Sequence, residues 1–192
     1  MSIEAPRILF LHGLESTVDE ALRPVGRKVQ WLRAHHDRVI APALDTREAQ
    51  QIVAWCRQTQ TPWKVHPDKV AAAFATPLVR AREALAEGPD LVIGSSFGGA
   101  VLHQLVHARD WQGPCVFLAA AGSKLTFEPA LPKGAPALYI HGRRDDVVDP
   151  DDSRRFAEAC GAPLWEVDDD HRLATILDNG LLAAAVAWSL SR

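Results

Sequence analysis

The sequence is poor in cysteine: Cys56, Cys115 and Cys160 are odd in number, far apart, and form no Cys-x-x-Cys pair. That spacing argues against a disulfide framework and against a thiolate zinc site, and it fits a reduced, cytoplasmic setting. Cys115 opens an apolar run and reads as a small buried hydrophobe. Long hydrophobic runs are also missing. Val116 to Ala121 and Leu181 to Trp188 are the longest kind present, well short of the ~20 residues that cross a bilayer, so no membrane association is expected. The opening Met-Ser-Ile-Glu carries no basic stretch and reaches His12-Gly13 almost at once, unlike a signal peptide. No block of Lys and Arg stands out, and a formal net charge of −3 gives no electrostatic footprint for nucleic acid. Internal repeats, low-complexity tracts and linkers are absent as well. What remains is 192 residues, 47% hydrophobic and 23% charged. This is the make-up of one globular domain over residues 1–192 with a sizeable core, and not of a disordered chain.

Short apolar runs alternate along the chain with longer amphipathic stretches. Ile8 to Leu11, Val39 to Leu44, Asp90 to Ser95, Val116 to Ala121, Ala137 to His141 and Pro163 to Val167 read as strands, the second cut short by Pro42. Helices are expected around Arg23 to His35, Thr46 to Gln58, Pro67 to Glu87, Phe97 to Arg109, Asp152 to Cys160 and Leu181 to Leu190. The third of these should break or kink at Pro77. The runs are nearly continuous and helices intervene between most of them. Both features favour a parallel sheet covered on both faces, a three-layer α/β/α sandwich of about six strands.

The informative segment is Gly94-Ser95-Ser96-Phe97-Gly98-Gly99, a Gly-x-Ser-x-Gly pattern centred on Ser96. A strand turning straight into a helix forces its central residue into a strained conformation, and bulky side chains two residues either side would collide. The turn lifts a hydroxyl clear of the sheet beside a helix N-terminus, where amides favour developing negative charge. A serine hydroxyl is a weak nucleophile until a base and an orienting acid activate it. In the chain order such sites use, Asp145 follows the strand ending at His141, and His171 follows the last strand, in Asp168-Asp169-Asp170-His171. Each of the three sits just past a strand's C-terminal end, and in a parallel sheet those ends share one edge. Asp146 remains open as an alternative acid. The turn His12-Gly13-Leu14 lies on the same edge, so the backbone amides of Leu14 and Phe97 are the candidate oxyanion donors.

Together, LFLHG, GSSFGG, YIHGRRDDVVDP and DDDHRL resemble the α/β-hydrolase superfamily, and within it the small esterases that carry no cap. The resemblance runs from Ile8 to about Trp188. In such proteins His-Gly-x-x-Asp-x-x-Val carries the triad acid, which here falls on Asp145. The resemblance implies hydrolysis of a carboxylic ester or thioester through an acyl-enzyme, with no metal and no organic cofactor, and the missing cap implies a small or exposed acyl group. Two departures stand out. The leading antiparallel hairpin of the full fold is missing, and Gly122 to Pro136 is too short to hold a cap domain. Acyl transfer, cofactor-free perhydrolase or lyase chemistry could run on the same residues. A catalytically silent binding module of this fold and a metal-dependent hydrolase are the remaining alternatives.

The other histidines have simpler readings. His12 and His141 brace the turns that follow their strands, while His35, His36 and His66 are solvated. His103 and His107 stand four apart on one helix, a chelating spacing, but Gln104 lacks the carboxylate of a His-Glu-x-x-His site. Asp149, Asp151 and Asp152 flank Pro150 where carboxylates cap a helix. Asp168 to Asp170 form a solvated shoulder that could raise the basicity of His171. Trp55, Trp63 and Phe74 read as core packing, with an acyl pocket as the alternative.

Overall fold

The computed structural model describes residues 4–14, 24–62, 66–122 and 131–192. Trp63, the start of the first helix at Arg23 and the middle of the segment from Gly122 to Pro136 lie outside them. Among the described residues, six strands form one sheet: β1 (Arg7–Leu11), β2 (Arg38–Ile40), β3 (Leu91–Ser95), β4 (Cys115–Leu118), β5 (Ala137–Gly142) and β6 (Leu164–Val167). Their order is β2-β1-β3-β4-β5-β6, and every pairing is parallel. β2 stops at Ile40, two residues before Pro42, as a residue without an N–H requires.

Alternation along the strands divides the core into two layers. Leu9, Leu11, Val92, Phe117 and Tyr139 pack on one face against α2 (Arg47–Thr59), α3 (Pro67–Leu85), α4 (Phe97–His107) and α5 (Pro150–Cys160). Ile8, Phe10, Ile93, Val116 and Ile140 pack on the other against α1 (Arg27–His35), α6 (Thr175–Asp178) and α7 (Leu181–Leu190). Burial on both sides explains why the strands read as continuous apolar runs. Pro77 does not break α3, which runs unbroken through it with Pro77 itself buried. The flanking alanines and Phe74, packed into the first core layer, hold the helix together where a ladder hydrogen bond is missing. Asp149 caps α5 by accepting from the Asp151 amide at 3.0 Å.

His103 lies in the middle of the first layer, 1% exposed. Its ring is surrounded by those of Phe117, Tyr139 and Phe156; Nε2 meets the Tyr139 hydroxyl at 3.2 Å, and Nδ1 has no partner. It is a core histidine. Burial, helped by the nearby His107, lowers its pKa from 6.5 to about 3. The unfolded chain therefore takes up a proton below about pH 6.5 that the folded chain refuses until about pH 3, so stability is full above this window and falls as the pH drops through it. Chemical denaturation of the wild type should show a loss of roughly 3 kcal/mol from this group between pH 6.5 and 4. His103→Leu should flatten that slope; an unchanged slope would contradict the argument.

Candidate active site

The strand order reverses at β1: β2 lies on one side of it, and β3 with all later strands on the other. In open parallel sheets such a switch point opens a crevice at the strands' C-terminal ends. His12-Gly13-Leu14 leaves β1 on one side of that crevice and Ser96 leaves β3 on the other. A Cβ placed on Gly13 would stand 3.2 Å from Ser96 Cβ and 3.7 Å from its Oγ.

Ser96 has φ 53 and ψ −117, a conformation that costs a non-glycine residue about 1–3 kcal/mol. Its backbone is held on every side. The amide donates to the Leu118 carbonyl at 2.9 Å, and its own carbonyl accepts from Gly99, Ala100 and Ala121. The glycines allow the turn to close. A side chain on Gly94 would meet the Gly98 carbonyl at 2.7 Å, and one on Gly98 would meet the Leu11 carbonyl oxygen at 2.1 Å.

His171 Nε2 lies 2.9 Å from Ser96 Oγ, and His171 Nδ1 lies 2.7 Å from Asp145 Oδ2. The second contact sets the tautomer. An ionised carboxylate only accepts, so Nδ1 carries the proton and Nε2 presents its lone pair to the serine hydroxyl. The other carboxylate oxygen, Oδ1, accepts from the amides of Val147 at 2.9 Å and Val148 at 2.8 Å. Burial pushes the Asp145 carboxyl up, but hydrogen bonds from His141, His171 and the Val148 amide outweigh it and hold the group well below the usual carboxylate range. Asp146 is exposed. Of the two candidate acids, Asp145 is the one brought to the ring.

The His171 loop is tied down from several elements. Asp169 is buried and accepts from the Thr175 amide and hydroxyl at 2.8 and 2.7 Å, while its carbonyl takes the Arg144 amide at 3.0 Å. Lys28, on α1, donates to the Arg172 carbonyl at 2.6 Å. The expectation of a solvated acidic shoulder thus holds for Asp168 and Asp170, which are exposed, and fails for Asp169. Its carboxylate is committed to closing the turn.

The first turn is fixed in the same manner. His12, 3% exposed, donates from Nδ1 to the Gly13 carbonyl at 2.8 Å and accepts the Leu44 amide on Nε2 at 3.0 Å. Burial lowers its pKa, against a smaller opposing effect of the Gly13 carbonyl, consistent with a neutral ring. Across a trans peptide the C=O and N–H point in opposite directions, so this contact also aims the Leu14 amide. The Leu14 carbonyl is held by the Thr46 hydroxyl at 3.1 Å and by Gln50. Phe97 is the first residue of α4, where an amide has no intrahelical partner and stays available to a ligand. Its ring stacks on Phe74 inside the first core layer, which is the packing role expected for Phe74.

Lys28, Thr46, Gln50 and the capping role of Asp169 were not marked by the sequence. They act on backbone atoms from distant segments, and no local spacing announces such contacts. His36 and His66 are half-buried, each with an unpartnered Nε2, and so are not solvated as expected; His35 is exposed.

The sequence model of the serine hydrolase (FSH1) family matches residues 20–173. The chain belongs to that family. Ser96, Asp145 and His171 of this serine hydrolase all fall inside the matched region. Similar solved structures include a hydrolase of the alpha/beta superfamily from Xanthomonas campestris pv. campestris, 24% identical, with a TM-score of 0.62 and 96% of each chain covered. A YdeN-like hydrolase from Pectobacterium atrosepticum is 17% identical over 95% of this chain and 90% of its own, with a TM-score of 0.60. The esterase domain of a Rhodothermus marinus protein is 15% identical over 97% and 86%, with a TM-score of 0.54. Likeness at this level shows a shared fold, the α/β-hydrolase fold. No curated protein matches the sequence significantly. Among the described residues no helix is long and apolar enough to cross a membrane.

Proposed function

We propose that this serine hydrolase is an esterase that cleaves carboxylic esters or thioesters of small or exposed acyl groups through an acyl-enzyme. The observation that carries this reading is the hydrogen-bonded chain from Ser96 Oγ through the His171 ring to Asp145. In the reaction, His171 Nε2 takes the hydroxyl proton as Oγ bonds to the acyl carbon. The carbonyl oxygen becomes an oxyanion held by the Leu14 and Phe97 amides, and Asp145 stabilises the imidazolium. Collapse breaks the bond to the alcohol or thiol, which leaves with the proton from His171. Water then gives a proton to the same nitrogen and its oxygen bonds to the acyl carbon. Ser96 departs with that proton and the carboxylic acid is released. Each step uses side chains and amides of this chain alone.

The test is intact mass after exposure to a fluorophosphonate, beside a Ser96→Ala control. A single adduct on the wild type that the variant lacks is the expected result, and no adduct on folded wild-type protein would overturn the reading. Short-chain esters and thioesters should then be turned over faster than long-chain ones. A strong preference for long chains would remove the small-acyl part of the proposal.

A further inference from the structure

Two imidazoles converge on one oxygen of Asp145. His141, the penultimate residue of β5, is fully buried. Its Nε2 lies 2.9 Å from Asp145 Oδ2 and 3.1 Å from the Val148 carbonyl. Both neighbours only accept, so Nε2 carries a proton and donates to them. On the far side of the ring, Nδ1 meets the Ser153 hydroxyl on α5 at 2.7 Å. With the proton on Nε2, a neutral ring accepts at Nδ1 and the Ser153 hydroxyl donates there, which locks the tautomer. Asp145 therefore receives an N–H from each of two histidines on Oδ2 and two backbone amides on Oδ1. That fills the roughly four acceptor sites a carboxylate offers.

We propose that His141 is a positioning residue for the reaction, acting through Asp145: it fixes the plane of the carboxylate and limits how much negative charge Oδ2 offers to His171. The inference rests on the esterase reading of Ser96, His171 and Asp145. A carboxylate oxygen that gives up part of its charge to a second donor stabilises a neighbouring imidazolium less. Without His141, Oδ2 has His171 as its one side-chain donor. The base is then protonated more readily, and activity falls away at higher pH. The carboxylate is also free to rotate, so the lone pair of His171 points less well at Ser96.

Charged groups on every neighbouring element leave this effect readable. From the β5–α5 turn come Asp145 itself, the exposed Asp146 and Arg144, whose guanidinium bonds the Asp168 carbonyl. From α5 comes the buried Asp152, paired with Arg155. From the β6–α6 loop come Asp168, Asp169 and Asp170, and from α1 comes Lys28. Asp145 and Asp169 are both held below the usual carboxylate range. Lys28 is lowered by burial to about 8, so it titrates on the alkaline side.

The rate of fluorophosphonate labelling at Ser96, followed by mass from pH 5 to 9, measures the acid limb without any knowledge of the natural substrate. For His141→Leu the midpoint of that limb should move upward by about one pH unit, and the plateau rate should fall by up to about a hundredfold. His141→Gln can place an amide N–H near the same oxygen and should restore the midpoint. Ser153→Ala removes the proton that polarises the His141 ring and should shift the midpoint the same way by less. If His141→Leu folds and keeps the wild-type midpoint, the residue is structural only and the proposal is overturned. If it does not fold, an unmoved midpoint in Ser153→Ala overturns it instead. Failure of the wild type to label would sink the esterase reading and this inference with it, whereas labelling with unmoved midpoints sinks the inference alone.

Discussion

Asp145→Asn should lower the rate of acylation by about four orders of magnitude, while Asp146→Asn should stay near wild type. Asp146 is exposed, whereas Asp145 Oδ2 receives the Nδ1 proton of His171 at 2.7 Å. An asparagine in the same place keeps its carbonyl on the Val147 and Val148 amides and turns its NH₂ group toward both histidines. Three donors then meet with no acceptor among them. His171 relieves the conflict by moving its proton to Nε2, which leaves the ring unable to take a proton from Ser96. The geometry survives and the chemistry does not. Stability should fall as well, by roughly 1.5–3 kcal/mol for the lost charge-assisted bonds. Labelling rates and thermal melts of the two variants, measured side by side, separate these effects. Loss of labelling in the Asp146 variant with retention in the Asp145 variant would reverse the assignment of the acid.

Gly98→Ala should destabilise the fold by about 3–5 kcal/mol or prevent folding altogether. Its Cβ would stand 2.1 Å from the Leu11 carbonyl oxygen, 2.4 Å from the Leu11 carbonyl carbon and 2.7 Å from the His12 carbonyl oxygen. All three are backbone atoms at the end of a strand paired on both sides, so nothing can swing aside as a side chain would. The crossing of α4 over β1 would have to open, carrying Ser96 away from the turn that aims the Leu14 amide. Gly26→Ala is the matching control. Nothing lies within 4 Å of the added carbon and φ is an ordinary −63, so its unfolding midpoint in urea should barely move. Equal effects at the two positions would contradict the steric argument.

The architecture was legible in the sequence because two-sided burial writes itself as runs such as LVIGS and ALYI, and because the strand-to-helix turn at Ser96 needs its glycines at fixed offsets. That residues following β5 and β6 would meet Ser96 at one sheet edge was legible from their places in the chain. The choice between Asp145 and Asp146 was not, since adjacent carboxylates look alike until the Val147 and Val148 amides close the turn around one of them. Asp169 was misread for a related reason. Three acids in a row suggest water, yet the middle one reaches six residues forward to Thr175, a spacing that marks no standard cap. Of the break or kink expected at Pro77, the break does not occur, because helix-breaking power is a local property and α3 is held by the layer packed against it. The second donor on Asp145 depends on His141 and Ser153 meeting across the interface of β5 and α5, a tertiary contact that nothing in either segment advertises.

The all-parallel sheet has a consequence for the life of the chain. A parallel neighbour can be joined only through a crossover, so no two adjacent strands here form by a simple turn. On the reading proposed above, Ser96 is made early, just after β3, whereas His171 follows β6, the strand that completes the sheet's edge. Until that strand has left the ribosome and docked beside β5, Ser96 is an ordinary alcohol, because an isolated serine is a poor nucleophile. On that reading, the growing chain carries no activated serine at the exit of the ribosome, and reactivity arrives only with a finished sheet.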